Sequence, residues 1–95
     1  MSENRLILFV TGDAPRSVRA RQHLAAALDR LGTSDVVTEE VDVIREPQKA
    51  LQNGVFATPA LALVTGDQRW QFLYGDLSDE ASLHRFLDTL TVSGA

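Results

Sequence analysis

Residues 59–74 carry the sequence PALALVTGDQRWQFLY, and this stretch decides the fold of the 95-residue chain. The apolar run at 59–64 and the aromatic-rich run at 69–74 each have the length of a β-strand. The Thr65-Gly66-Asp67-Gln68 segment between them is typical of a two-residue hairpin turn, in which we expect Gly66 to adopt a positive φ. The stretch therefore predicts two adjacent antiparallel strands.

Two more strands and a helix are predicted before the hairpin. The continuous apolar run at 6–10 predicts a strand buried on both faces. The β-branched residues alternating with charges at 36–44 predict an edge strand, where charged side chains are tolerated and block unwanted pairing. Apolar residues at helical spacing predict a first helix between these strands, and they are Ala20, Leu24, Ala27, Leu28 and Leu31.

Helix boundaries are marked by residues that commonly begin or end helices. We expect Asp13 to cap the first helix, Pro15 to lie in its first turn and Gly32 to end it. Pro47 is expected to begin a second, short helix that extends to about Asn53 and is closed by Gly54.

A third helix is predicted after the hairpin. Ser78 is expected to be its N-cap, and an apolar stripe follows at Leu83, Phe86, Leu87 and Leu90. Residues 91–95 are expected to fray. The element order is β-α-β-α-β-β-α, which predicts one α/β domain over residues 1–95, with a mixed four-stranded sheet and a thioredoxin-like architecture.

Composition excludes several classes of function. A hydrophobic fraction of 44% with 23% charged residues is ordinary for a folded globular domain. The net charge of −4 argues against a nucleic-acid-binding protein, which needs surplus Lys and Arg. No apolar run is long enough to span a bilayer, and residues 6–10 are too short for a signal-peptide core. We therefore expect a cytoplasmic location and no membrane partner.

Two loops would carry the chemistry of a thioredoxin-like protein. Asp13-Ala14-Pro15-Arg16 lies where the redox enzymes carry Cys-x-Pro-Cys, and the chain contains no cysteine at all. Thiol-disulfide exchange is therefore excluded, because it needs a thiolate. Thr58-Pro59 precedes the third strand, where this architecture has a cis-proline, and we expect a cis peptide bond there.

Four segments together resemble the KaiB family of circadian clock proteins. They are LILFVTGDAPRSVRA at 6–20, VDVIREP at 41–47, ATPAL at 57–61 and GDLS at 75–78. The four occur in the family's order and at similar spacing, so the resemblance covers nearly the whole chain.

The resemblance implies a non-catalytic clock protein that binds the hexameric ATPase KaiC, with KaiA or a histidine kinase as further possible partners. It also implies fold switching, since the family is known for two folds of one sequence, a tetrameric ground-state fold and a thioredoxin-like fold that binds KaiC. The hairpin turn and the stripe at 83–90 both favour the thioredoxin-like fold here. We expect a chain that rests in that fold, switches little and is a monomer, although the family's other form assembles into oligomers.

Six residues are candidates for partner binding: Arg16, Arg19, Glu39, Val41, Asp76 and Asp88. Arg19 is the strongest of them, because it lies in a matching motif and arginine is suited to bidentate contacts with carboxylates. The alternative for the arginines of the first helix is a solvated helix face, and the alternative for Asp76 and Ser78 is a turn followed by a helix cap.

Two rival functions are left open. One is a redox-inactive thioredoxin-like adaptor, or a sensor domain related to clock-output histidine kinases. The other is an enzyme of the glutathione-binding thioredoxin superfamily that uses Ser17 in place of cysteine. No catalytic residue, cofactor or metal is expected under the leading interpretation. The aromatic stripe Trp70, Phe72 and Tyr74 is interpreted as packing beneath a helix, with part of it exposed if its strand is an edge.

Overall fold

The structure is a computed structural model that describes residues 4–32, 36 and 38–93, with side chains up to residue 88. Its seven elements occur in the predicted order: β1 (Arg5–Val10), α1 (Pro15–Leu31), β2 (Thr38–Asp42), α2 (Pro47–Gln52), β3 (Ala60–Val64), β4 (Trp70–Tyr74) and α3 (Glu80–Ser93). The end of the chain, expected to fray from residue 91, is helical through Ser93. Residues 94–95 lie outside the described part.

The four strands form one mixed sheet in the order β2-β1-β3-β4. β1 runs parallel to β2, with Leu8 opposite Glu40, and antiparallel to β3. β3 and β4 form the predicted hairpin, in which Ala62 lies opposite Phe72. The thioredoxin-like α/β architecture is therefore confirmed, and β2 and β4 are the two edge strands, as expected.

Both faces of the sheet are buried, as the continuous apolar run of β1 predicts. Leu6, Leu8 and Val10 pack with apolar residues of α1 and α3 in the larger core cluster. Ile7 and Phe9 point the other way, into a smaller cluster that α2 joins through Ala50. Alternation along β1 thus divides its side chains between two cores.

The edge strand β2 is shorter than the 36–44 predicted from its β-branched residues. Val43 and Ile44 lie in a turn, because the Asp42 carboxylate accepts the Ile44 backbone N–H at 2.9 Å and holds the chain out of the strand direction. Val36 lies in a bend before the strand, and residues 33–35 and 37 fall outside the described part.

The expected N-cap of α1 is wrong by one residue. Ala14 occupies the cap position and provides no side-chain hydrogen bond, while Pro15 begins the helix as expected. Asp13 instead accepts a hydrogen bond from the Arg21 guanidinium at 3.3 Å. The other end is as predicted, because Gly32 closes the helix in the left-handed conformation at φ 67°.

The expected N-cap of α3 is also wrong by one residue. Asp79, directly before the helix, accepts the Ser82 backbone N–H at 3.4 Å and the Ser82 hydroxyl at 2.8 Å. Ser78 lies one residue before Asp79, and its backbone N–H donates to the Asp76 carboxylate. A carboxylate at this position also favours the positive end of the helix dipole.

The hairpin turn differs from the predicted two-residue form. Gln68 donates its N–H to the Thr65 carbonyl, Thr65 donates its N–H to the Arg69 carbonyl, and Gln68 has φ 69°. This is a three-residue loop, a turn followed by one left-handed residue that forms a bulge. The expectation of a positive φ at Gly66 is wrong, because the bulge transfers that conformation to Gln68.

Candidate partner-binding site

Four loops meet at one end of the sheet, which we call the loop end: residues 11–14, 43–46, 55–59 and 75–79. The parallel strands β1 and β2 finish there, and the antiparallel β3 begins there. β4, antiparallel to β3, also finishes there and leads to the start of α3. In the thioredoxin-like architecture, the β1–α1 loop and the loop with the cis-proline both lie at this end.

Hydrogen bonds between loops hold the loop end together. The hydroxyls of Thr11 and Thr58 bond to each other, which ties the β1–α1 loop to the loop before β3. The Gly75 N–H donates to the Pro59 carbonyl at 3.0 Å. The Thr58-Pro59 peptide bond is cis, as expected from the architecture. These contacts join segments far apart in sequence into one surface.

Asp42 links two further loops through its carboxylate. One oxygen accepts the Gly12 N–H at 3.2 Å and the Ile44 N–H at 2.9 Å. The Ile44 N–H is the main cause of a lowered pKa at Asp42, and the Gly12 N–H and the Arg45 charge act in the same direction. The side chain is therefore an ionised clamp between the β1–α1 loop and the β2–α2 turn.

Asp76 anchors the C-terminal half of the fold to α1. Its carboxylate accepts a hydrogen bond from Arg19 Nε at 3.1 Å, and its backbone carbonyl lies 2.7 Å from His23 Nδ1. The Ser78 backbone N–H donates to the same carboxylate at 3.1 Å. The Ser78 hydroxyl first, and the Arg19 guanidinium second, lower the pKa of Asp76 to about 2.

A third charged cluster surrounds Arg21. Its guanidinium donates to Glu40 at 2.6 Å, to Asp13 at 3.3 Å and to the Gly12 carbonyl at 2.8 Å. The arginine therefore connects α1 to the edge strand β2 and to the loop that precedes α1. Asp13 is thus bonded to Arg21, while Ala14 occupies the cap position of α1.

Apolar side chains project into solvent at the loop end. Phe56 is 91% exposed, Ile44 is 67% exposed and Tyr74 is 44% exposed. A groove of about 170 Å³ beside Phe56 is also lined by Val43 and Val55. Large apolar side chains exposed on a small domain are candidates for contact with another protein. None of these three positions was expected as a binding residue from the sequence.

The predicted partner-binding residues fall in different surroundings. Arg16 is exposed, forms no ion pair with described residues and borders a groove of about 230 Å³ together with Tyr74 and Asp76. Arg19 and Asp76 are already bonded to each other, so a partner would have to compete for them. Asp88 is exposed in the third turn of α3, away from the loop end.

The two candidates on β2 lie on the same face of the strand, the one that faces α2, but differ in burial. Glu39 is half-buried near the start of the strand and forms ion pairs with Arg5 at 3.8 Å and with Lys49 at 3.7 Å. Val41 is 1% exposed and packs in the smaller core cluster. Its side chain is therefore unavailable to a partner in this fold, and only its backbone lies on the free edge.

The aromatic stripe lies along the other edge. Trp70 and Phe72 are partly buried against the smaller cluster, in which Ala50 is the sole helix residue among those described. The rings contact one another along the strand, with centroids 6.0 Å apart for Trp70 and Phe72 and 5.9 Å apart for Phe72 and Tyr74. The interpretation as packing beneath a helix is thus only partly correct.

The surroundings of Ser17 bear on the rival enzyme. Ser17 is 1% exposed, and its hydroxyl oxygen accepts the Thr11 N–H at 3.1 Å, so it does not face a substrate cleft. Within residues 4–32, 36 and 38–93, no three His, Asp or Glu side chains lie close enough to hold a metal ion. No helix in the same part of the chain is both long and apolar enough to cross a membrane.

Comparison with solved structures agrees with this architecture. The N-terminal domain of SasA from Synechococcus elongatus is 27% identical, with a TM-score of 0.75 over 96% of this chain and 85% of that domain. Mitochondrial thioredoxin 3 from Saccharomyces cerevisiae is 20% identical and superposes with a TM-score of 0.77 over 93% of this chain and 79% of the thioredoxin. The second likeness shows the fold alone.

Comparison of sequences identifies the family. A family model described as the KaiB domain matches residues 7–89. The circadian clock oscillator protein KaiB of Gloeothece citriformis is 35% identical over 85 residues, covering 90% of this chain and 79% of the relative. KaiB1 of Synechocystis sp. is 34% identical over 85 residues, covering 90% and 80%. The chain therefore belongs to the KaiB family of circadian clock proteins.

Proposed function

We propose that this chain is a non-catalytic clock protein that binds a KaiC-type hexameric ATPase through the loop end of its thioredoxin-like fold, in the cytoplasm. The observation that carries the proposal is the KaiB domain match over residues 7–89, in a chain whose structure has the thioredoxin-like architecture. The family resemblance implies that the thioredoxin-like fold is the form that binds KaiC.

The absence of redox chemistry supports a binding role. Asp13 and Arg16 stand where thioredoxins have their two cysteines, and the 95 residues contain no cysteine. The hydroxyl nearest to these positions on α1, that of Ser17, is buried and hydrogen-bonded to the backbone. The loop end therefore resembles a thioredoxin site without a thiolate nucleophile, and such a surface can bind a partner but cannot exchange disulfides with it.

The exposed residues of the loop end support this surface as the place of contact. Phe56 and Ile44 together supply apolar area, and Arg16 supplies a charge without an ion-pair partner among the described residues. Interfaces concentrate their binding energy in a few central apolar or arginine side chains surrounded by polar residues. The hydrogen bonds of Asp42 and of Thr11 with Thr58 fix the loops in advance, which lowers the entropy lost on binding.

A second candidate is a redox-inactive adaptor or sensor domain that acts on a histidine kinase. The likeness to the SasA N-terminal domain favours it, because that relative is one domain of a longer protein. The two candidates share the loop end and differ in the partner, so binding experiments separate them.

The proposal is tested by co-elution with the KaiC-type ATPase of the same cell, with nucleotide present. We expect the wild-type chain to co-elute with the hexamer and Ile44→Asp to fail, since a carboxylate would be buried in the contact. Gln71→Asp adds the same charge at an exposed position of β4 and should still bind. Wild-type chain that elutes alone at every nucleotide condition contradicts the proposal.

Two further outcomes decide between the rivals. Binding to a histidine kinase of the same cell, without binding to the ATPase, supports the adaptor. Retention on immobilised glutathione that is lost in Ser17→Ala supports an enzyme, and we expect no retention.

A further inference from the structure

The two free edges of the sheet differ sharply in charge. β2 carries three carboxylates among five residues, at Glu39, Glu40 and Asp42. β4 has the sequence WQFLY and carries none. Glu39 forms ion pairs with Arg5 and Lys49, and Glu40 forms one with Arg21. Charged side chains on an edge strand block pairing with another strand, so β2 is protected against a second copy and β4 is not.

The backbone of β4 presents its hydrogen-bonding groups at the aromatic positions. Thr65 donates to the Arg69 carbonyl at 2.9 Å, and Gly75 donates to the Pro59 carbonyl at 3.0 Å. Pairing alternates along an antiparallel ladder, so residues 69, 71, 73 and 75 direct their backbone groups towards β3. The N–H and C=O groups of Trp70, Phe72 and Tyr74 consequently point outwards, along the free edge.

The three aromatic side chains share one face of the same strand. Their rings stand in a continuous row, with adjacent centroids about 6 Å apart. Tyr74 is 44% exposed, and Trp70 and Phe72 are partly buried. The row is symmetric about Phe72, with one aromatic residue two positions away on either side.

We propose that β4 is a self-association edge, which pairs antiparallel with β4 of a second copy about a two-fold axis through Phe72. In this register Phe72 lies opposite Phe72 of the second copy, and Trp70 lies opposite its Tyr74. These are the residues with outward backbone groups, so three hydrogen-bonded pairs contribute two bonds each, about six in all. The two aromatic rows merge into one layer, and the two sheets become one sheet of eight strands.

The dimer is weak and depends on concentration. A five-residue edge buries only part of three aromatic side chains per copy, each of roughly 150–250 Å². This is less than the roughly 800 Å² per partner of a typical stable interface. Association is therefore expected near the upper end of a concentration series and independently of any ATPase.

Sedimentation velocity from roughly 10 μM to roughly 1 mM tests the proposal. The wild-type mass should rise from 10.4 kDa towards twice that value. Phe72→Lys and Phe72→Glu should each weaken self-association at least tenfold, because each places like charges at the two-fold axis. A mixture of the two variants should associate again, because opposite charges then face each other.

Two other variants separate edge pairing from general effects of charge or folding. Thr38→Lys adds a positive charge to the β2 edge and should leave the dimer intact. Tyr74→Pro removes an N–H that faces the free edge, a position at which proline is tolerated, and should weaken association at least tenfold while the fold is kept. A wild-type chain that stays monomeric throughout, or a dimer unaffected by Phe72→Lys and Tyr74→Pro, overturns the proposal.

Discussion

The replacement Phe56→Ala separates binding from stability more cleanly than any other change at the loop end. Phe56 is 91% exposed in the isolated chain, so its removal takes almost nothing from the folded state. We expect the free energy of unfolding to change by no more than about 0.5 kcal/mol. The affinity for the ATPase should fall instead, if this ring is buried in the contact.

The size of the binding effect follows from the area that the ring brings into the interface. Complete burial of a phenylalanine side chain contributes about 1.5–3 kcal/mol, and nearly all of the ring is available here. The Kd for the KaiC-type hexamer should therefore rise roughly ten- to hundredfold. Phe9, 1% exposed in the core, gives the opposite result: Phe9→Ala should cost about 3–5 kcal/mol of stability.

The assay combines chemical denaturation of both variants with titration of each against the hexamer, measured by fluorescence anisotropy. Gln71→Ala provides an exposed control that should change neither quantity. If Phe56→Ala binds as tightly as the wild type, the ring of Phe56 is not buried in the contact, and the same result for Ile44→Asp excludes the loop end. If Phe56→Ala unfolds, its exposed position in the fold is incorrect.

Three further predictions concern the fold itself. The pKa of Asp76, about 2 against an ordinary 3.8, means that its ionised form stabilises the fold and that this contribution is lost as pH falls from about 4 to about 2. In urea unfolding across that window, the free energy of unfolding should fall less steeply with pH for Asp76→Asn than for the wild type. Gln68→Gly should raise stability by about 0.5–1 kcal/mol, because φ 69° costs a non-glycine residue about 1–2 kcal/mol and the larger entropy of glycine in the unfolded chain offsets part of the gain. Gly66→Ala should change stability by less than about 0.5 kcal/mol. A larger gain from Gly66→Ala than from Gln68→Gly in thermal melts would contradict the turn. Leu87→Ala should cost about 2–5 kcal/mol in denaturant titrations, because Leu87 is fully buried between α3 and the sheet, and a cost below about 1 kcal/mol would mean that α3 is not docked.

The sequence predicts the architecture well because the residue patterns of β1 and α1 match their burial in the structure. The β1 run is apolar at every position from 6 to 10, and the structure buries both of its faces. The family motif and the hairpin place β3 and β4 correctly. Proline at position 15 and glycine at position 32 bound α1 as expected, because these residues restrict or free the backbone by themselves.

The caps and the turn are where sequence reasoning errs by one or two residues. Ser78 and Asp79 are both good N-caps and stand side by side, so propensity alone does not choose between them. In the structure the Ser78 hydroxyl is hydrogen-bonded to the Asp76 carboxylate, and Asp79 bonds to Ser82 in the first turn of the helix. Gln68 has the positive φ because the hairpin closes through Thr65 and Arg69, a detail of loop length that residue preferences do not fix.

The candidate site depends still more on contacts between distant residues. Arg19 and Asp76 are 57 positions apart, and their pairing follows only from the packing of α1 beside the end of β4. The sequence singles out both residues, although not as partners. Exposure of Phe56 is also a tertiary property, and its one local signal is an apolar residue in the loop between Gly54 and Pro59.

The central claim is that the free chain rests in the thioredoxin-like fold, with β3 and β4 paired and α3 helical. Cross-strand nuclear Overhauser effects between the Hα protons of Ala62 and Phe72 measure it most directly, because these residues lie opposite each other at a position without hydrogen bonds between them. We expect this contact within a single set of backbone signals, with helical chemical shifts over residues 83–90. A second set of signals in which residues 83–90 are extended, or the absence of the Ala62–Phe72 contact, would contradict the account.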